Sequence, residues 1–145
     1  MLKKDDPPIF EQEKTGVAMA VFHLNEVAGT LFPAGRLTRV LAGPGAPAEP
    51  DHFVMGHVTI YGGGEVPQHA HGQEEVYFIV SGQGTMELEG ETMPIEAGSY
   101  VDIRPGQSHC LRNTGNEDLV MLFCYAPKGI VDHWRRELQP EEANG

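Results

Sequence analysis

Apolar residues along this chain come in short runs, most alternating with polar ones at a period of two, and glycine- and proline-rich stretches separate the runs. That pattern predicts strands rather than helices. VAMAVFHL (17–24) is apolar almost throughout and too short for a stable lone helix, so it predicts a strand covered on both faces, with His23 a core or interface histidine. RLTRVLAG (36–43) predicts a strand with Arg36 and Arg39 toward solvent, and GPGAPAEPD (43–51) a loop. HFVMGHVTIY (52–61) predicts a strand ending at Gly62-Gly63-Gly64, with His57, Thr59 and Tyr61 on one face and Val58 and Ile60 on the other.

EVYFIVSG (75–82) is apolar on both faces, which calls for a cover outside the barrel as well as a core inside it. In TMELEG (85–90), Met86 and Leu88 alternate with Glu87 and Glu89, and Gly90-Glu91 marks a hairpin turn. Pro94 then puts the following strand at a sheet edge, or starts it. Two short strands follow at 99–104 and 108–112 around Arg104-Pro105-Gly106-Gln107, then the turn formers NTGNED (113–118) and a last doubly buried strand, LVMLFCYA (119–126). One helix is expected, VDHWRREL (131–138), with Asp132 as N-cap and Trp134 and Leu138 at helical spacing. Residues 1–14, charged and carrying Pro7-Pro8, read as a flexible arm, leaving 15–145 as a single domain. The fold class is all-β.

A chain of 145 residues buries a sufficient core without crosslinks. Its 21 acidic against 10 basic residues give a net charge of −11, which repels phosphate backbones and excludes nucleic acid as a natural partner. No apolar run reaches the ~20 residues of a membrane span, and MLKKDDPPIF lacks the apolar core of a signal peptide, so the expected compartment is the cytoplasm. The two cysteines, Cys110 and Cys124, are too far apart for a C-x-x-C pair and read as free thiols.

The chemistry concentrates in GGEVPQHAHGQEEVYFIVSG (63–82). His69, His71 and Glu75 are separated by even offsets, so on extended backbone their side chains share one face. Two imidazoles and a carboxylate on one side hold a divalent transition metal and leave coordination positions open. Glu74 lies at an odd offset from His71 and points away. Downstream, His109 is a fourth ligand candidate, while Asn113 reads as a turn residue.

Together these stretches resemble the paired motifs of the cupin superfamily. Gly63, His69-x-His71, Glu75 and Gly82 match the first motif at every position; Gly98, Gly106, His109 and Asn113 follow the second, with Arg104 where the family usually has proline. The resemblance implies a small double-stranded β-helix, or jelly roll, with a metal inside it held by His69, His71, Glu75 and His109. Ligand type suits Fe, Mn, Ni or Zn alike. A substrate chelating through two oxygens fits the open positions, so a dioxygenase-like enzyme is the leading expectation. An isomerase, lyase or decarboxylase without O₂, or a non-catalytic small-ligand binder, are the alternatives.

Tyr77, on the ligand side of its strand, is the best candidate for a catalytic acid or base, followed by His57 and Tyr61 if their face turns inward. Asp102, Arg104 and Arg112 are expected at the surface, and Cys110 as a structural cysteine facing away from the metal. The apolar outer faces are expected to be covered by a second subunit in a homodimer.

Overall fold

The computed structural model describes residues 21–129 and 132–138. Ten strands form two antiparallel sheets: β1 (Thr30–Phe32), β2 (Arg36–Ala42), β3 (Val54–Ile60), β4 (Glu65–His69), β5 (Glu74–Ser81), β6 (Gln83–Leu88), β7 (Glu91–Glu96), β8 (Tyr100–Ile103), β9 (His109–Arg112) and β10 (Leu119–Ala126). One sheet has the order β1-β2-β3-β10-β5-β8 and the other β4-β9-β6-β7. A single helix, α1 (Asp132–Leu138), closes the described chain. The expected all-β jelly roll with a short C-terminal helix is what the chain forms. Among the described residues, no helix is long and apolar enough to cross a membrane.

Strand alternation builds the core. Ile60, Ile79 and Met121 from the larger sheet meet Met86 and Leu111 from the smaller one, all essentially inaccessible to solvent. Each such side chain contributes ~1.5–3 kcal/mol of burial free energy. Gly82 carries the chain from β5 into β6 at φ +87°, and a Cβ there would lie 2.5 Å from the Asp118 carbonyl oxygen, so only glycine fits. The β6–β7 hairpin turns on Glu89 and Gly90, both at positive φ, one residue earlier than expected. Pro94 lies on β7, an edge strand of its sheet, where its missing N–H removes no ladder bond from a central position.

Three expectations give way. Residues 21–24 form no strand: Val21 is exposed, and Leu24 opens a 3-10 turn ending at Glu26. His23 is exposed there, its Nδ1 accepting from the Asn25 N–H at 3.1 Å, so it is a local cap and no core residue. Residues 1–20, including the rest of that apolar run and the arm, lie outside the described residues. Second, Arg36 is buried, with 1% of its surface accessible. It shares parity with Thr38 and Val40, which point inward, whereas Arg39 belongs to the outward set. Third, Leu138 is exposed while Trp134 is buried against Phe32, Phe123 and Tyr125, so the apolar contact of α1 is made by Trp134 and not by Leu138. The side chain of Asp132 falls outside the described residues.

Candidate metal centre

The two sheets converge on His69, His71, Glu75 and His109. His69 ends β4 and pairs across the ladder with His109, which starts β9. Glu75 comes from β5 of the opposite sheet, and His71 from the loop between β4 and β5. The even spacing of 69, 71 and 75 therefore does not place them on one strand; the chain crosses from sheet to sheet between them. That crossing is braced by the β8–β9 turn, where the Gly106 N–H donates to the His71 carbonyl at 2.8 Å. The four residues offer ligand atoms all within 4.8 Å of one another.

Backbone carbonyls fix the imidazole tautomers. Nδ1 of His69 lies 2.7 Å from the Pro67 oxygen, Nδ1 of His71 3.0 Å from that of Gln73, and Nδ1 of His109 2.9 Å from that of Gln107. A carbonyl only accepts, so each Nδ1 carries the hydrogen and each Nε2 turns a lone pair inward in the neutral ring. Among the described residues, the buried His109 Nε2 has no hydrogen-bond partner, a loss of solvation that a bound cation would offset. Glu75 Oε1 lies 3.0 Å from His71 Nε2 and 3.5 Å from His109 Nε2, so electron-rich atoms face each other and need a cation or proton between them. The residues present fit a divalent metal, with the carbonyl-anchored Nδ1 groups orienting the ligands.

Electrostatics reflect the same crowding. Burial, then the neighbouring His133 and His109, drop the His69 pKa to about 2, which keeps that ring neutral. Burial acts against charge on His71, yet the hydrogen bond and charge of Glu75 outweigh it and leave its pKa raised. Burial likewise opposes ionisation of Glu75, and the neighbouring imidazoles of His109 and His71 overcome it, so its pKa is lowered.

The candidate catalytic residues separate. Tyr77 is buried beside the cluster, its ring 6.0 Å from that of His109, and it lines the same inner cavity as Glu75. Burial raises its pKa well above the ordinary phenol range, which suits a hydrogen-bond donor rather than a phenolate. His57 and Tyr61 are not brought to the centre. The inward residues of β3 are Val54, Gly56, Val58 and Ile60, so His57 lies on the outer face, and Tyr61 beyond the strand end is 37% exposed. Asp102, Arg104 and Arg112 lie at the surface, Arg104 pairing with Glu74 and Asp102, and Arg112 with Glu65 and Glu87. Asn113 is structural, its amide donating to the Ile60 and Glu117 carbonyls. Both cysteines are free, and Cys110 is buried.

Three residues that sequence reasoning missed complete the centre. His133 of α1 stacks on His69, with ring centroids 3.6 Å apart and planes at 19°. Its Nδ1 meets Glu137 Oε2 at 2.8 Å, and Glu137 in turn takes two hydrogen bonds from Arg36, at 2.5 and 2.7 Å. The Arg36 guanidinium also lies over the Phe32 ring, 4.0 Å from its centroid. The signals were present: His133 and Glu137 stand at i and i+4 of the expected helix, and Arg36 shares parity with inward residues of its strand.

Two spaces meet here. An inner cavity of about 20 Å³ is lined by Arg36, Thr38, Glu75, Tyr77 and His133, among others. An outer cleft of about 450 Å³ opens past His69, His133, Arg136 and Glu137. Helix α1 stands between them, since His133 lines both.

Comparison with known proteins bears on this arrangement. Residues 56–125 match the family described as the Cupin domain. An oxalate-binding protein of Thermotoga maritima is 41% identical over 61 residues, covering 41% of this chain and 50% of that protein. A 5-nitrosalicylic acid 1,2-dioxygenase of Bradyrhizobium sp. is 36% identical over 66 residues, 46% of this chain and 32% of that one. This chain thus spans half or less of the length of either relative. The crystal structure of a predicted oxalate decarboxylase from Thermotoga maritima superposes with a TM-score of 0.65 at 22% identity, over 74% of this chain and 98% of that one. With two antiparallel sheets, a matching domain and a His/Glu cluster at the motif positions, the chain belongs to the cupin superfamily.

Proposed function

We propose that His69, His71, Glu75 and His109 hold a divalent transition metal, and that the protein converts a small molecule that chelates this metal through two oxygens, as a dioxygenase-like enzyme. The observation that carries the reading is the tautomer pattern: three Nδ1 groups tied to carbonyls, three Nε2 atoms turned inward, and one of them buried without a partner. When bound, the metal supplies Lewis-acid chemistry or an electron route to O₂. The chain's own part is to orient the imidazoles through their carbonyl-tied Nδ1 groups, keep bulk water from the inner cavity and place the Tyr77 phenol beside Glu75 as a hydrogen-bond donor. Anaerobic loading with Fe(II), then O₂ uptake against diketones, phenols and 2-hydroxy acids, tests it. Uptake stoichiometric with one substrate class is expected. A protein that binds iron and consumes no O₂ with any of them rules out the oxygenase version.

A second reading, an O₂-independent decarboxylase, lyase or carboxylate binder, is supported by the buried Arg36 next to the cluster and by the oxalate-related names of two relatives. Turnover under argon with Mn(II) would select it.

We also infer that a second copy of the chain covers the outer face of the larger sheet. Phe78 (46% exposed), Tyr100 (61%), Val80 and Leu31 all lie on that face. Exposed apolar side chains on one sheet face suit a self-complementary twofold contact. Sedimentation is expected to give a dimer for the wild-type chain and a monomer for Phe78→Asp; a wild-type monomer at tens of micromolar discards the idea. Two free thiols suit a reducing compartment, and we place the protein in the cytoplasm on that ground.

A further inference from the structure

Arg36 is an unusual residue to find inside a barrel. Its guanidinium is buried, and a planar fork of this kind matches a carboxylate through two parallel hydrogen bonds. In this structure the carboxylate is Glu137, delivered by the last helix rather than by a strand of the barrel. Two features around this pair bear on what else the guanidinium could hold. The inner cavity, at about 20 Å³, holds roughly one water and no metabolite. Yet it touches Glu75 of the metal cluster, Tyr77 and Arg36, and the buried Thr38 hydroxyl on its wall has no hydrogen-bond partner among the described residues. The groups that converge there face a space too small for any ligand, and what separates it from the outside is helix α1, whose His133 and Trp134 line it. Outside lies a cleft of ligand size, about 450 Å³, with Glu137 on the boundary and the exposed Arg136 at its mouth.

We propose that Arg36 is the seat for the carboxylate of an acidic small-molecule ligand, and that Glu137 occupies this seat until the ligand displaces it together with helix α1. The exchange replaces one buried ion pair by another, so no buried charge is left unpaired. It rests on the proposed metal reading only for the ligand's second attachment point, next to Glu75. It narrows the substrate class to small molecules carrying a carboxylate besides their metal-chelating oxygens. His133 travels with Glu137, so ligand entry also unstacks it from His69.

Malonate, with chloride at equal ionic strength as control, serves as probe on the full chain without added metal. Glu137→Ala is expected to melt lower than wild type, and malonate to raise its melting temperature well beyond what chloride does. The double variant Arg36→Met/Glu137→Ala is expected to show no such gain. Should Glu137→Ala not fold, Glu137→Gln serves, and its malonate Kd is expected to fall about tenfold or more below wild type once the internal competitor is gone. The chain has one tryptophan, and it sits on α1, so saturating malonate is expected to shift wild-type emission to the red as Trp134 leaves the aromatic cluster. Equal responses to malonate and chloride in the Glu137 variants, or an equal malonate gain in the double variant, overturn the proposal. Metal content measured on the same samples keeps the readings apart, because loss of carboxylate selectivity with intact metal uptake sinks only the seat.

Discussion

Replacing His109 by alanine is expected to reduce bound divalent metal from about one ion per chain to a small residue, with affinity falling ~100-fold or more. His109 is the most enclosed of the ligands, at 1% exposure, and among the described residues its Nε2 has no hydrogen bond to fall back on. Changing a residue that merely orients a ligand typically weakens metal binding ~10–100-fold, so removing a ligand outright sets that range as a floor. The surrounding shell does not compensate. Cys110 packs toward Glu65, Tyr77 stays protonated at ordinary pH, and His133 already stacks on His69. Elemental analysis of protein purified without chelator, joined to a calorimetric titration with Mn(II), reads the result. Undiminished metal in His109→Ala would show that the cluster is not where the ion resides.

Glu137→Ala is expected to cost about 3–5 kcal/mol of stability at neutral pH, because it leaves the Arg36 guanidinium buried without its counter-charge. Removing both members, as Arg36→Met/Glu137→Leu, is expected to recover most of that loss, since the pair's mutual attraction largely offsets its desolvation. The pH dependence carries a definite sign. Burial opposes ionisation of Glu137, but hydrogen bonds from Arg36 and His133 prevail and hold its pKa below the ordinary 4.5. A depressed folded-state pKa contributes stability that is present in full above the unfolded value and lost as pH falls through the folded one. The gap between wild type and Glu137→Ala should therefore be widest at neutral pH and shrink below about 4.5. Glu75, shifted in the same direction, acts equally in both proteins and drops out of the difference. Denaturant unfolding at pH 7 and at pH 3.5 decides it; a gap that is constant or grows with acid contradicts the ion-pair account.

Much of the barrel is legible because strand alternation is a local property. The β6 segment shows it plainly, the unbroken apolar runs of β5 and β10 mark strands by length and composition, and Pro94 at an edge follows from its missing N–H. The four candidate ligands were legible because histidine pairs and a carboxylate at fixed offsets are rare enough to be noticed. Parity alone did not resolve His57. A period of two says which residues share a face, and not which face looks inward; that was decided when β2 and β10 flanked β3 and drew Val58 and Ile60 into the core.

The parity of Arg36 and the i, i+4 spacing of His133 and Glu137 were visible, but that the three meet lay beyond sequence reasoning for a related reason. Arg36 stands 97 positions before His133 and 101 before Glu137, and nothing near Arg36 announces a carboxylate partner. The sequence by itself determined the strand pattern, the turns and the ligand types, all of which depend on neighbours within a few residues. Only the tertiary structure decided that His69 and His109 pair across one sheet while Glu75 reaches them from the other, and that the last helix delivers an acid to a buried arginine. Such contacts arise when distant segments close over a shared core, and their partners are chosen by packing rather than by spacing.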